Sequence, residues 1–575
     1  MSRRDTTSEE SRRDFLTKAG ATGGLVGMTA LAGCGGDGGD GSDGSDGSDG
    51  SDGSDGDDMD GGDGGEMGEA LPTYTYLNNA QSYNPPRHDA INLIARQFED
   101  LGFDMEVEVL EWGTLFNRVS VEYDYDFATW WTFFTIDPVL ELSSTMRSTN
   151  TSPGDGNFAG YENEELDEMM DQYLAEPDAD TRVDLAHDIQ RTLMDDVPQM
   201  PVTHMPAAGI WNNTQVSNWQ RDLPYGFNSY WTMVNLEMEG GEDTLKGYWP
   251  ETLSTMNVLG HNDENKHQYQ FQVMYDTLLR LDNEGELNTD VSLATEFDRI
   301  DETTIEYTIR TDHSFHDGED LTVEDVAFTY NYINDNEVPL YSVQAGFLES
   351  AEVVDDETVR INLSEPLGPF NTLVATQLPI IPEHVWSDRD EPSQVNVQEP
   401  VGSGPLQFDY WEQGSEFGLT RFDDHFAPVD FEQRFWRIIP EASTVWELLR
   451  NGGLNYEPFG RIDRQLDENL SEDQISAKFE PATSFWHCTP NQRTAGLDDV
   501  TVRKAVYNTI PRTPIVDQIL FGFPEPGFDV ISPAFGPLHT EDVTTYEEDI
   551  EVGRERLREA GYQYDDDRLV TRGAG

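Results

Sequence analysis

Residues that could carry out chemistry are sparse in this sequence, and none stands in a recognised catalytic spacing. The chain has no GxSxG, no HExxH and no phosphate-binding GxxxxGKS/T motif. Of its 11 histidines, His261 and His267 lie close together but have no cysteine or third histidine near them, so we expect no metal site and no cofactor. A glycosidase would need two placed carboxylates, which cannot be singled out among 112 acidic residues. We therefore expect no enzyme, and a secreted hydrolase is the alternative.

Aromatic side chains indicate a binding function instead. The stretch Trp130–Pro138, WWTFFTIDP, follows Phe127, and together they carry more aromatic rings than one face of a strand can bury. Flat, amphipathic rings stack well on sugars, peptides and ring systems. The commoner place for any single aromatic residue is the core. The density of rings here nevertheless predicts a surface that contacts a ligand.

Hydrophobic periodicity predicts the strands and helices that position this stretch. Thr73–Leu77 is typical of a strand, and the helix after it has a regular apolar face and ends at Gly102. Residues 103–109 alternate as an amphipathic strand, which completes a βαβ unit of a mostly parallel sheet. Further elements are predicted as a strand over 126–134, helices over 164–174 and 180–195, and a strand over 200–206.

A second stretch, Ser314–Phe328 or SFHDGEDLTVEDVAF, predicts a tight turn followed by a capped helix. Gly318 tolerates the positive φ of a turn, and His316 is expected to satisfy backbone groups there. Thr322 is typical of an N-cap, with Asp325 three residues later as an approximate capping box. Residues 304–310, just before the turn, alternate like a half-buried strand.

The amino-acid sequence of this second stretch, together with Tyr275-Asp276-Thr277-Leu278 before it, resembles the signature of extracellular solute-binding proteins of family 5. Those proteins serve peptide, nickel and oligosaccharide ABC importers. The resemblance implies an α/β, two-lobed periplasmic-binding-protein-like fold of type II, in the large form with an extra subdomain. It also implies that the lobes close over a solute and deliver it unchanged to an ABC permease.

The segments that resemble the family stand in an unusual order. Residues 73–201 resemble the family's C-terminal part, whereas 244–575 resemble its beginning and middle. We therefore predict a circular permutation, with the usual ends joined through Glu237–Asp243 and the new ends at an exposed hairpin tip. It predicts that Thr73–Leu77 pairs in one sheet with the strand near residues 568–571. Two incomplete copies or a mispredicted gene are the alternatives, but the halves complement rather than repeat each other.

The resemblance also places the ligand loop at Trp130–Pro138. Peptide-binding members resemble W-x-x-D-x-x-D-P, in which the first Asp pairs with the ligand's α-ammonium, and Phe134 holds that position here. A phenyl ring cannot make a charge-assisted hydrogen bond to an ammonium group. The sequence therefore favours an oligosaccharide, or another ligand without that ammonium, over a peptide held by its free N-terminus. Asp137 is expected mainly to cap the next helix. The ligand-binding candidates are Trp130, Trp131, Phe134, Asp137, Trp249, Asn257, Trp486, His487 and Asn491.

The net charge of −77 comes from 112 acidic and 35 basic residues. Such a chain repels phosphates, which argues against nucleic acid as a partner. The acidity runs through predicted helices and loops alike. It therefore favours adaptation to molar salt, where the Debye length is about 3 Å, over a dedicated cation-binding surface.

The first 34 residues are typical of an export signal. Ser11–Lys18, SRRDFLTK, resembles a twin-arginine signal, and the apolar run after it is too short to span a bilayer. Leu31-Ala32-Gly33-Cys34 resembles a lipobox, so we expect Cys34 to be lipidated after twin-arginine export, with a free thiol as the alternative. The Gly/Ser/Asp-rich stretch 35–69 cannot bury a core and is expected to be a tether. The other cysteine, Cys488, is expected to be buried and without a disulfide.

The expected protein is thus a monomeric receptor, lipid-anchored at the extracellular face of the cell membrane, that binds a peptide or an oligosaccharide for an ABC permease. A ligand-sensing receptor without transport is a further alternative. The predicted organisation is signal and lipobox 1–34, tether 35–69, part of lobe 2 over 70–200, return to lobe 1 and joining linker 201–243, lobe 1 with its subdomain 244–480, and the remainder of lobe 2 over 481–575.

Overall fold

The computed structural model describes residues 69–571, except 134–135, 224–225, 251, 254, 261–270, 337, 459–463 and 566–567. Strands and helices are mixed along the chain, so the predicted α/β class is confirmed. No helix within the described ranges is long and apolar enough to cross a membrane. Three features of the sequence analysis lie outside the described residues: the export signal, the ligand-loop residue Phe134, and the pair His261 and His267, where no metal site is expected.

The strands in chain order are β1 Thr73–Asn79, β2 Asp104–Leu110, β3 Phe127–Phe133, β4 Met200–Asn212, β5 Val216–Ser217, β6 Glu237–Met238, β7 Thr244–Trp249, β8 Ala294–Asp301, β9 Thr304–Ile309, β10 Leu348–Val353, β11 Thr358–Leu363, β12 Leu406–Glu412, β13 Glu416–Arg421, β14 Gln433–Ile438, β15 Tyr456–Glu457, β16 Ile475–Pro490, β17 Glu525–Pro526, β18 Gln563–Asp565 and β19 Arg568–Val570.

The α-helices are α1 Pro85–Leu101, α2 Trp112–Asn117, α3 Pro138–Met146, α4 Glu164–Ala175, α5 Ala179–Asp196, α6 Tyr230–Asn235, α7 Val323–Asp335, α8 Ser342–Ala345, α9 Phe370–Leu373, α10 Glu383–Trp386, α11 Ala442–Asn451, α12 Arg464–Asn469, α13 Val500–Tyr507, α14 Arg512–Pro514 and α15 Ile550–Glu559.

The largest sheet has seven strands in the order β15-β4-β16-β3-β1-β2, with β17 also paired to β4. β1 is parallel to both β2 and β3, so the predicted βαβ unit is confirmed. Its helix α1 begins at an Asn84 cap with prolines in the first turn and ends at Gly102, whose φ of 110° requires glycine's freedom. The long strand β16 lies between β3 and β4 and runs antiparallel to both, which connects this sheet to distant parts of the chain.

Two further sheets have four strands each. The first, β10-β11-β9-β8, is antiparallel throughout and is built from consecutive segments. The second, β12-β13-β14-β7, closes with β14 parallel to β7, which stands far earlier in the chain. Sequence periodicity predicted β9 but could not show that β7 and β14 are neighbours.

The stretch Ser314–Phe328 folds as predicted. Gly318 has a φ of 90° in the turn, and Thr322 and Asp325 form a reciprocal capping box at the start of α7. His316 contacts the Gly404 carbonyl oxygen at 2.9 Å and accepts from the Gly402 N–H at 3.3 Å, which confirms that it satisfies backbone groups. Burial lowers the pKa of His316 to about 4, so the ring is neutral at physiological pH.

The two ends of the described chain meet, but not in the way predicted. β1 pairs with β2 along its whole length and with β3 at Tyr76 and Leu77. β19 instead pairs with β18, and residue Val570 forms an antiparallel bridge with Ala70, just before β1. The Thr571 N–H donates to the Glu69 carbonyl oxygen at 2.8 Å. The predicted pairing of Thr73–Leu77 is therefore wrong, because β19 pairs with β18 and bridges to Ala70, just before β1, rather than to β1 itself.

Candidate ligand-binding site

The aromatic stretch at 130–133 lies on β3, and its partner β16 carries another predicted aromatic candidate, Trp486. In the antiparallel register Trp131 stands opposite Trp486, and Trp130 stands opposite His487. Directly opposed residues share a face of the sheet, and successive residues alternate faces. The two neighbouring tryptophans of β3 therefore point to opposite sides of the sheet.

Trp130 belongs to a closed aromatic cluster. Its ring stacks on Trp112 at 5.3 Å between centroids and meets Phe158 edge-on at 5.4 Å and Phe116 at 5.9 Å. Only 4% of Trp130 is exposed. These contacts favour core packing over ligand contact as the role of Trp130.

Trp131 lies on the other face and remains half-buried. Its ring meets the buried Trp486 ring edge-on, with 6.4 Å between centroids and an interplanar angle of 69°. Trp486 in turn stands opposite Thr203 of β4. This pair of tryptophans lies where three strands run side by side, and it offers a partly accessible aromatic wall.

His487 is buried and held by hydroxyl groups. Its Nε2 lies 3.0 Å from Thr132 Oγ1 and its Nδ1 lies 2.7 Å from Thr489 Oγ1. Burial lowers the pKa of His487 to about 3, which keeps the ring neutral over the physiological range. The ring thus links β3 to β16, and each of its nitrogens lies within hydrogen-bonding distance of a threonine hydroxyl.

Asp137 acts as the predicted helix cap. One of its carboxylate oxygens accepts from the Val139 and Leu140 N–H groups at the start of α3, and the other accepts from the Tyr173 hydroxyl at 2.8 Å. Burial raises the pKa of Asp137, against the effect of these hydrogen bonds. The cap prediction is confirmed, and the carboxylate is enclosed by the residues that it holds.

The two candidate asparagines also hold backbone. Asn257 donates to the carbonyl oxygens of Pro392 and Val395 at 2.7 and 3.0 Å. Asn491 donates to the carbonyl oxygens of Tyr123 and Tyr125 at 3.0 and 2.9 Å. Both are buried, so their amides position loops. Trp249, also buried, ends β7 in a different sheet from Trp131 and Trp486.

A polar group on the opposite face of the sheet from the aromatic wall was missed by sequence reasoning. His204 of β4 stands opposite Phe485 of β16, and its Nε2 lies 3.1 Å from an Asp529 carboxylate oxygen. The other oxygen of Asp529 lies 2.9 Å from His539 Nε2. Burial opposes ionisation of Asp529, but its contacts with the two histidines outweigh this and lower its pKa. His204 stands far earlier in the sequence than Asp529 and His539, so no local spacing could have linked it to them.

A comparison with known families finds a match over part of the chain. The sequence model of one family, bacterial extracellular solute-binding proteins, family 5 (middle), matches residues 291–573. This region belongs to that family. The match includes the Ser314–Phe328 stretch, which carried the resemblance in the sequence, and the strand β16 with Trp486.

Individual relatives agree with the family 5 assignment. The oligopeptide-binding protein AppA of Bacillus subtilis is 28% identical over 339 residues, 56% of this chain and 60% of the relative. Protein XP55 of Streptomyces lividans is 30% identical over 329 residues, 55% of this chain and 56% of the relative. The dipeptide-binding protein of Escherichia coli is 23% identical over 261 residues, 42% of this chain and 48% of the relative. The chain thus spans about half the length of the curated relatives that it matches.

A solved structure of a periplasmic oligopeptide-binding protein from Thermotoga maritima has 18% sequence identity and a TM-score of 0.47. The superposition covers 57% of this chain and 64% of that one.

Proposed function

We propose that this protein is the extracytoplasmic receptor of an ABC importer, and that it captures a solute and delivers it unchanged to a permease. The observation that carries the proposal is the family 5 match over residues 291–573. The relatives include proteins named for binding oligopeptides, dipeptides and glutathione. Capture by closure of two lobes is the common mechanism of receptors with this architecture.

The aromatic wall of Trp131 and Trp486 is the proposed ligand surface. Trp131 is half-buried, so the core does not enclose it fully, and a tryptophan ring suits stacking on a ligand. Phe134, at the position where peptide binders place an ammonium-binding carboxylate, favours a solute that is not held by a free N-terminus. The solute class is therefore a blocked or internal peptide, or an oligosaccharide. Trp249 is proposed as a ligand contact from the other lobe. The remaining candidates are proposed to position the strands and loops around the site.

A circular permutation accounts for the order of the segments. Residues 69–71 and 569–571 lie side by side, linked by the Ala70–Val570 bridge and the Thr571–Glu69 hydrogen bond. Adjacent ends are what cutting a hairpin would leave. A comparison that follows the chain in order can match only one of two exchanged segments, and the matched share of about half agrees with this. The division into lobe 1 over 244–480 and lobe 2 over 70–200 and 481–575 rests on the same proposal.

The anchoring and export steps rest on the sequence. A twin-arginine signal before Cys34 would export the protein, and lipidation of Cys34 would hold it at the outer face of the membrane through the tether 35–69. Metabolic labelling with a radioactive or clickable fatty acid tests this step, with Cys34→Ser as the variant that should lose the label while the protein is still exported.

The surface charge predicts a dependence on salt. With a net charge of −77, self-repulsion is strong at low ionic strength and is screened in molar KCl. The midpoint of thermal unfolding should rise steadily as KCl is increased toward molar concentrations. A midpoint that does not change with KCl would contradict adaptation to high salt.

A thermal-shift screen of residues 35–575 in molar KCl tests the receptor function. The probes are di- to pentapeptides with free and acetylated N-termini, oligosaccharides, and nickel chelates. A solute at 100 times its Kd stabilises the folded state by about 2.7 kcal/mol, which is easily detected. The account expects a hit among oligosaccharides or acetylated peptides, with the compound recovered intact by mass spectrometry. Conversion of the compound would instead show a hydrolase.

A further inference from the structure

Three potential metal ligands meet inside the protein. Asp276, His313 and His425 come from chain positions up to 149 residues apart, and their donor atoms all lie within 4.8 Å of one another. We propose that they bind a divalent transition-metal ion of the Zn²⁺, Co²⁺ or Ni²⁺ class. The ion would be a resident structural component, and the proposal does not depend on the receptor function.

The distances suit direct coordination. His313 Nε2 lies 3.1 Å from one oxygen of Asp276, and His425 Nε2 lies 3.2 Å from the other. In tetrahedral Zn²⁺ sites the metal–ligand bonds place neighbouring ligand atoms about 3.3 Å apart. The three side chains therefore need little movement to enclose an ion.

The donor set matches the chemistry of these metals. Neutral imidazole suits Zn²⁺, Co²⁺ and Ni²⁺, and a carboxylate adds a negatively charged ligand. A fourth donor lies close by, because the Ser403 carbonyl oxygen is 2.9 Å from His313 Nε2. Four protein ligands would make a closed site, which is the structural type rather than the catalytic type.

Outer contacts orient the ligands. His425 Nδ1 lies 3.0 Å from the Ala427 carbonyl oxygen, so a proton on Nδ1 would leave Nε2 free to coordinate. The Ser403 hydroxyl lies 3.0 Å from an oxygen of Asp276 and fixes the carboxylate. Ligating histidines in proteins are commonly held by such a contact to a carbonyl oxygen.

Burial makes the charge of Asp276 costly without a cation. The side chains of all three residues are 0–1% exposed. Within the described parts of the chain, the ion-pair partners of Asp276 are the two histidines alone. A divalent ion would compensate the buried carboxylate directly. It would also join four separate segments, through Asp276, His313, Ser403 and His425.

The same atoms allow a rival arrangement that holds protons only. In it, both Nε2–H groups donate to Asp276, and His425 Nδ1 accepts from the Ala427 N–H, which lies 2.9 Å away. The two arrangements differ in metal content, so a direct measurement separates them.

The test uses the full chain purified in molar KCl, stripped with a chelator and then titrated with CoCl2 or ZnCl2 alone. The proposal expects about one ion bound per chain, visible absorption bands of protein-bound Co²⁺, and a thermal midpoint that chelation lowers and Zn²⁺ restores. His313→Gln and His425→Gln should lose the bound ion and the Co²⁺ bands.

His384→Gln is the matched control. His384 also pairs with an aspartate, Asp317, at 2.8 Å, but both side chains are more than a third exposed. This variant should bind the ion as the wild type does. If the variants of the buried site do not fold, the wild-type titration still decides. Stripped wild type that shows no Co²⁺ bands and no Zn²⁺-dependent midpoint would overturn the proposal and leave the protons-only network.

Discussion

Trp130 and Trp131 are neighbours on β3, yet they lie in different surroundings. Trp130 stacks on Trp112 and meets Phe116 and Phe158, and it is 4% exposed. Trp131 meets the Trp486 ring edge-on and is half-buried. The alternation of a strand places one ring in a core cluster and the other on the aromatic wall.

This difference shows that the density of aromatic residues alone does not locate a ligand surface. The same short segment supplies both core and wall, and only the register with β16 separates the two roles. Each face then makes its own predictions. The face of Trp130 and His487 should govern stability, and the face of Trp131 and Trp486 should govern solute binding.

The largest expected effect is on the core face. Trp130→Ala removes a buried ring from an aromatic cluster and should lower the free energy of unfolding by about 3–5 kcal/mol. Trp131→Ala should cost less, about 1–2 kcal/mol, because its ring is only half-buried. Urea denaturation in molar KCl measures both. Equal losses for the two variants would remove the distinction between the faces.

The second prediction concerns pH on the same core face. His487 has a pKa of about 3 in the folded protein and 6.5 as its ordinary value, so the unfolded chain binds the extra proton between these limits. Stability from this group is therefore complete above pH 6.5 and falls toward pH 3, by up to about 1.4 kcal/mol per pH unit. His487→Gln should flatten the dependence of unfolding free energy on pH from 6.5 to 4.

The control for this pH series is His384→Gln, at an exposed ring. A His487→Gln variant with the wild-type slope would show that the buried ring is not the group that titrates on unfolding.

The third and smallest free-energy change is expected on the aromatic wall. Trp131→Ala should weaken binding of the solute found in the screen about 10–100-fold, as loss of an aromatic anchor commonly does. Trp131→Phe should retain part of the affinity, since a smaller ring can still stack. Trp130→Phe is the matched variant on the other face and should bind as the wild type does. Unchanged affinity in Trp131→Ala would move the ligand surface elsewhere.

Local sequence patterns predicted the local structure well. The cap and box of α7, the Gly102 end of α1 and the Asp137 cap of α3 all follow from a few consecutive residues. The βαβ unit followed because periodicity fixes element type and chirality favours the parallel crossover.

Long-range arrangements could not be predicted in the same way. The pairing of β14 with β7, and of β16 with β3 and β4, depends on contacts between residues hundreds of positions apart. The groups around Asp276 and Asp529 also assemble only in three dimensions. The predicted pairing of β1 with the strand near residues 568–571 was displaced by only a few residues along the chain. The bridge to Val570 is made by Ala70, just before β1.

The central claim is that this protein binds a solute without changing it. Isothermal titration of the wild type with the compound from the screen, followed by mass spectrometry of the recovered compound, tests this most directly. The account predicts saturable binding of one solute per chain, recovery of that solute intact, and weaker binding in Trp131→Ala than in Trp130→Phe. Conversion of the solute during the titration, or absence of binding for every class screened, would contradict it.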